Sequence, residues 1–159
     1  MRGLRRSVCR EKAYVGYNAS KKSWYIGLKV HLVATHTGQP KECLITPAST
    51  HDLKALKQIY LGTLPKSSTI FGDKAYQSKE YENELLRRGI LLASERKTNS
   101  KRGQSLIYQR YGKRMRKRIE TVFSQITSWL PRHLHAVKEK GIILKLMMLI
   151  TAYSFTFLG

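Results

Sequence analysis

The chain switches repeatedly between two hydrophobic periods, and few architectures accommodate that. Trp24, Ile26, Leu28, Val30, Leu32 and Ala34 are apolar, with Tyr25, Lys29 and His31 interleaved. A period of two predicts a strand. Thr37-Gly38-Gln39-Pro40 is a turn, and Glu42 to Thr46 can pair back as the second strand of a hairpin, up to a break at Pro47. Asp52 then reads as the N-cap of a short helix with Leu53, Leu56, Ile59 and Tyr60 as its apolar positions.

The alternation continues. Thr69 to Gly72 is a short apolar strand running directly into Asp73, and Ser78 caps a helix that ends at Gly89. Ile90 to Ala93 is a further strand, and residues 94–112 are polar, basic and loop-like. Helices are expected from about Lys113 to Leu130, stopping before Pro131, and from Lys138 to Leu158. Residues 1–22 are basic and irregular. Strands interleaved with helices predict an α/β layer architecture in one domain.

Charge narrows the partners. The chain of 159 residues carries 30 Lys and Arg against 10 Asp and Glu, a formal net charge of +20. A compact domain this basic repels itself unless an anion is near. The basic residues alternate with tyrosines and glycines and form no single amphipathic stripe, which favours nucleic acid over a lipid surface. Between residues 96 and 118 stand Arg96, Lys97, Lys101, Arg102, Arg110, Lys113, Arg114, Arg116, Lys117 and Arg118, with Tyr108 and Tyr111 placed to stack on exposed bases. No zinc-finger, P-loop or dinucleotide pattern occurs in the sequence.

Cys9 and Cys43 form no disulfide or metal pattern, which fits a reduced, intracellular setting. Met1 to Arg10 lacks the apolar core of a signal peptide. The apolar stretch from Ile142 is interrupted by Lys145, and the clean run from Leu146 to Leu158 falls short of the roughly 20 residues that cross a bilayer. A buried helix is expected there.

Acids are scarce, so each one counts. The only aspartates are Asp52 and Asp73. Asp73 stands at the C-terminal end of a strand, where catalytic groups of open α/β sheets collect; position alone equally allows a cap of the next turn. Glu120 flanks a helix face made by Ile119, Val122, Phe123 and Ile126, and its plainer role is a salt bridge to Arg116 one turn earlier. Together the two acids fit phosphodiester chemistry, in which hard divalent ions are held by carboxylates inside a basic, DNA-attracting field. The adjacent His51-Asp52 pair is a metal signature in some phosphohydrolases. Here His31, His36, His133 and His135 lack a supporting spacing, and a helix-start turn is preferred.

Four segments in order carry a family likeness. They are Gly16 to Lys22 followed by Tyr25-Ile26-Gly27-Leu28-Lys29-Val30-His31-Leu32; Thr46-Pro47-Ala48-Ser49-Thr50-His51-Asp52; Phe71-Gly72-Asp73-Lys74-Ala75-Tyr76; and Arg118-Ile119-Glu120-Thr121-Val122-Phe123-Ser124-Gln125. The chain resembles the DDE-class transposases of bacterial insertion sequences over about residues 8 to 158. The resemblance implies an RNase H-like mixed sheet flanked by helices. It also implies Mg²⁺ (or Mn²⁺) held by Asp73 and Glu120 as catalytic metal ligands, and DNA contacts from Arg116 and Arg118; Lys113, Arg114 and Lys117 are expected as DNA contacts from the basic run itself. The implied reaction is cleavage of DNA at element ends, followed by attack of the freed 3′-hydroxyl on target DNA.

The family's first aspartate, on the first core strand, lies upstream of the part matching Val8-Cys9-Arg10. The resemblance therefore implies a C-terminal fragment: a basic segment at 1–22, then a partial catalytic domain at 23–159 without that strand. Such a piece would be impaired alone. Its expected partners are DNA, further copies of itself or a full-length transposase, without a membrane, in the cytoplasm at the nucleoid. The alternative reading is a non-catalytic DNA-binding protein that modulates an intact transposase.

Overall fold

The computed structural model describes residues 9, 11–18, 22–96, 103, 105–131 and 136–158. The elements run β1 (Val15–Asn18), β2 (Ser23–Ile26), β3 (Leu28–Ala34), β4 (Pro40–Pro47), α1 (Asp52–Gln58), β5 (Thr69–Gly72), α2 (Lys79–Arg87), β6 (Leu91–Ser94), α3 (Leu106–Ser128) and α4 (Glu139–Phe155). The described residues are mixed α/β, with three two-stranded sheets among them: antiparallel β1–β2, antiparallel β3–β4 and parallel β5–β6.

The β3–β4 hairpin lies between two cores because its side chains alternate between faces. Val33 and Leu44 pack on one side with Leu56, Ile59, Leu61, Tyr81, Leu85, Ile90 and Leu92 of the α1, α2 and β6 region. Val30, Leu32 and Cys43 pack on the other with Val122 and Ile126 of α3 and with Ile150 and Tyr153 of α4. Helices therefore cover both faces. Each cluster buries several large apolar side chains, at roughly 1.5–3 kcal/mol apiece.

Local chemistry sets the boundaries. Ser78 accepts the Tyr81 N–H at 3.3 Å and starts α2. Gly89, at φ +78°, ends it. The Gly89 N–H reaches the Leu86 carbonyl at 2.9 Å and the Ile90 N–H reaches that of Leu85 at 2.9 Å, while Ile90 and Leu85 share the core beneath. This paired closure brings the chain directly back into β6.

Three expectations change. The long strand predicted across Trp24 to Ala34 divides at Gly27, whose N–H bonds the Tyr14 carbonyl at 2.9 Å and whose carbonyl accepts the Ala48 N–H at 3.1 Å. Its first part pairs backward with β1, so the segment expected to be irregular holds a strand, and the boundary drawn at residue 22 falls inside a hairpin. The polar stretch expected as loop to residue 112 already contains the first turns of α3. Phe71 of β5 lies against Tyr108 and Tyr111 there, with ring centroids 6.3 and 6.5 Å apart. Tertiary stacking thus extends a helix that local propensity leaves open. Finally, α1 is capped by His51, whose Nδ1 accepts the Leu53 N–H at 3.3 Å, and Asp52 is its first residue. No helix among the described residues is long and apolar enough to cross a membrane.

Candidate active site

Asp73 follows β5, and its carboxylate accepts the Ala75 N–H at 2.9 Å, capping the short 3-10 turn Lys74–Tyr76. The capping reading of Asp73 holds, and its position leaves the other reading open to it. It caps, and it also stands exposed at the C-terminal edge of a parallel pair. Gly72 precedes it for a steric reason: a Cβ there would lie 3.1 Å from Tyr76 Cδ2. The Tyr76 hydroxyl is pushed up to about 12, first by burial and then by the Asp52 and Asp73 carboxylates.

Glu120 projects from α3 and is also exposed. Arg116 Nε donates to Glu120 Oε1 at 3.3 Å, the intrahelical pair expected from spacing. The same guanidinium donates through Nη1 to Glu95 Oε2 at 3.4 Å. Glu95 immediately follows β6, and its N–H bonds the Gly72 carbonyl at 2.9 Å. Its carboxylate lies 3.8 Å from Lys74 Nζ. A chain of charges therefore runs Lys74, Glu95, Arg116, Glu120, tying the residue after Asp73 to the helix that carries Glu120. All of these pairs are largely exposed, so each stabilises weakly, and their role is to set arrangement.

Glu95 was missed by sequence reasoning. The signal available was only its place after an apolar strand; the parallel pairing that sets it beside Gly72 is a tertiary fact. Among the described residues no group of three His, Cys, Asp or Glu side chains is placed to hold a metal ion. Asp73 and Glu120 offer hard carboxylate oxygens, the donors that Mg²⁺ takes alongside substrate phosphate. Lys113, Arg114, Lys117 and Arg118 are exposed on α3 around Glu120. Lys97, Lys101, Arg102, His133 and His135 lie outside the described residues.

A second polar region adjoins this edge across Tyr76, on which the Asp52 and Asp73 carboxylates both act. Lys29 of β3 donates to Asp52 Oδ1 at 3.0 Å and to the Thr50 carbonyl at 2.9 Å, tying the turn before α1 to the hairpin. His31 is buried, with Nε2 3.0 Å from Thr46 Oγ1. Its pKa is lowered by burial, with the Asp52 carboxylate opposing that shift and Lys29 adding to it. With His51 capping and Asp52 ion-paired, this motif serves as the helix-start turn that the sequence favoured.

Comparison with known proteins supports the family likeness. Residues 5–155 match the family model described as the transposase DDE domain. A transposase for insertion sequence element IS1106 from Neisseria meningitidis serogroup B is 34% identical over 95 residues, covering 54% of this chain and 33% of that protein. The match thus spans about a third of the relative's length. No solved structure matches the chain.

Proposed function

The chain belongs to the transposase DDE-domain family, and on that premise we propose that it acts in DNA transposition through a metal-dependent site built on Asp73 and Glu120. The observation that carries this reading is the charge chain from Lys74 through Glu95 and Arg116 to Glu120, which links the Glu120 helix to the strand end bearing Asp73.

In this reading β3–β4 and β5–β6 are two flanks of one RNase H-like sheet. A parallel pair of only two strands rarely stands alone, because parallel strands are normally buried within a wider sheet. A strand lying between β3 and β5 would join the flanks, and the third carboxylate would come from it, beyond the described residues. Divalent ions held at such a site would activate the attacking oxygen and stabilise the leaving one.

The chain's own residues do the rest. Lys113, Arg114, Lys117 and Arg118 draw the phosphate backbone to α3 and set its register. Arg116 exchanges its carboxylate partners for a phosphate oxygen as DNA arrives, which frees Glu120 to act as a ligand. The reaction supported is strand cleavage at DNA ends, then transfer of the freed 3′-hydroxyl. In the working assembly the chain would meet further copies or a full-length transposase.

The test pairs DNA binding with nicking. The purified chain is expected to bind duplex DNA with a steep salt dependence and to nick supercoiled plasmid only feebly in Mg²⁺ or Mn²⁺. Replacing Arg114 or Lys117 with Ala should lower the salt slope by about one each. Binding indifferent to salt would sink the electrostatic reading. Robust nicking that survives Asp73→Ala would sink the site assignment, whereas robust nicking abolished by it would put the third acid inside this chain.

A further inference from the structure

The β1–β2 hairpin carries two aromatic side chains that no core uses. Tyr17 and Trp24 are directly cross-strand partners. Their ring centroids are 5.1 Å apart at an interplanar angle of 55°. Trp24 is 73% exposed and Tyr17 51%. Leaving this much aromatic surface in water gives up the stabilisation that burial would bring.

The pair stands at one wall of a groove of about 320 Å³ whose other wall is the turn Ala48 to Asp52 and whose floor includes Lys29. That volume falls at the small end of ligand sites. The hairpin is seated firmly on this wall: a Cβ at Gly16 would lie 2.8 Å from Ala48 Cβ and 2.9 Å from Tyr25 Cζ. The Ser49 N–H also bonds the Ala13 carbonyl at 3.0 Å. The rings are therefore exposed on a fixed platform.

We propose that Tyr17 and Trp24 form a stacking platform for an unpaired base of DNA, with the groove beside them receiving it. The inference rests on the DNA-transposition reading above and adds a contact which that reading does not need. Charge supports the occupant. The chain bears a net +20, Lys22 sits exposed in the turn just before β2, and Lys29 uses two of its three ammonium donors on Asp52 and Thr50. Asp52 is thus neutralised by Lys29, and the groove does not repel a phosphate. Aromatic faces accept any base, so the platform would read strand separation and not sequence.

The experiment compares two DNAs with the full chain at one salt concentration. One is a blunt duplex, and the other is the same duplex with a short unpaired 3′ overhang. Wild type is expected to prefer the overhang, Trp24→Ala to lose that preference by about tenfold, and Trp24→Phe to keep most of it. Blunt-duplex affinity should not move, and the thermal midpoint should fall only slightly, because Trp24 is outside both cores and gives up only its cross-strand contact with Tyr17. An overhang preference unchanged in Trp24→Ala overturns the proposal, as does an equal loss on both DNAs. A change of oligomeric state with the preference intact would make the pair a contact between protein copies and overturn it too. If wild type binds neither DNA, the transposition reading itself fails, a result separable from loss of the overhang preference alone.

Discussion

The two aspartates of this chain sit in regions that treat a carboxylate in opposite ways. At the groove, Asp52, the first residue of α1, is half-buried and ion-paired to Lys29 at 3.0 Å. At the edge, Asp73 is exposed, accepts the Ala75 N–H, and pairs with no cation among the described residues. The same side chain is thus committed to structure in one place and left available in the other. The metal role proposed for Asp73 rests on that availability at a strand end, more than on acidity. The exposed aromatic pair follows the same rule within the groove region, since Tyr17 and Trp24 remain open where Lys29 and Asp52 do not.

The largest effect should come from the core the two regions share. Leu85 is fully buried beneath both α1 and β6, so Leu85→Ala should cost about 2–5 kcal/mol in urea unfolding. If groove and edge form one cooperative unit, Trp24 fluorescence in a Trp129→Phe background will melt together with the far-ultraviolet circular dichroism signal. Separate transitions would break the comparison into two independent units.

A smaller effect separates the aspartates themselves. Asp52→Ala should destabilise by about 1 kcal/mol, since it strands the part-buried Lys29 ammonium. Asp73→Ala should stay within about 0.5 kcal/mol, as an exposed cap of one short turn. The reverse order in denaturant titrations would overturn the assignment of structural and available acid.

The smallest effect is in pH. Burial lowers the His31 pKa below its ordinary value of 6.5. The unfolded chain then binds a proton that the folded chain refuses, so this contribution to stability is complete above about pH 6.5 and declines as pH falls below it. The melting temperature should drop between pH 7 and pH 5, and His31→Gln should flatten that slope. An unchanged slope in the variant would remove His31 from the account.

Much of the edge was legible beforehand. Thr69 to Gly72 running into Asp73, the Ser78 cap and Gly89 closure follow from rules that act within a few residues. The β1–β2 hairpin was not legible, because charge around it hides the alternation and its closure depends on Gly27 bonding to Tyr14 and Ala48. The early start of α3 was missed for a related reason: Phe71, distant in sequence, supplies the stacking surface for Tyr108 and Tyr111. Glu95 was passed over since nothing local says that β6 lies parallel to β5.

The sequence by itself determined the periods, caps and breaks, the basic field around α3, and the motif order that assigns the family. Those features depend on neighbours three or four residues away or on composition, so reading along the chain suffices. Tertiary structure alone decided that Asp52 is spent on Lys29, that Glu95 and Arg116 link the Asp73 edge to Glu120, and that Tyr17 and Trp24 stay exposed. Each of those depends on which distant surfaces meet, and packing settles that by filling space between elements, which no local rule encodes.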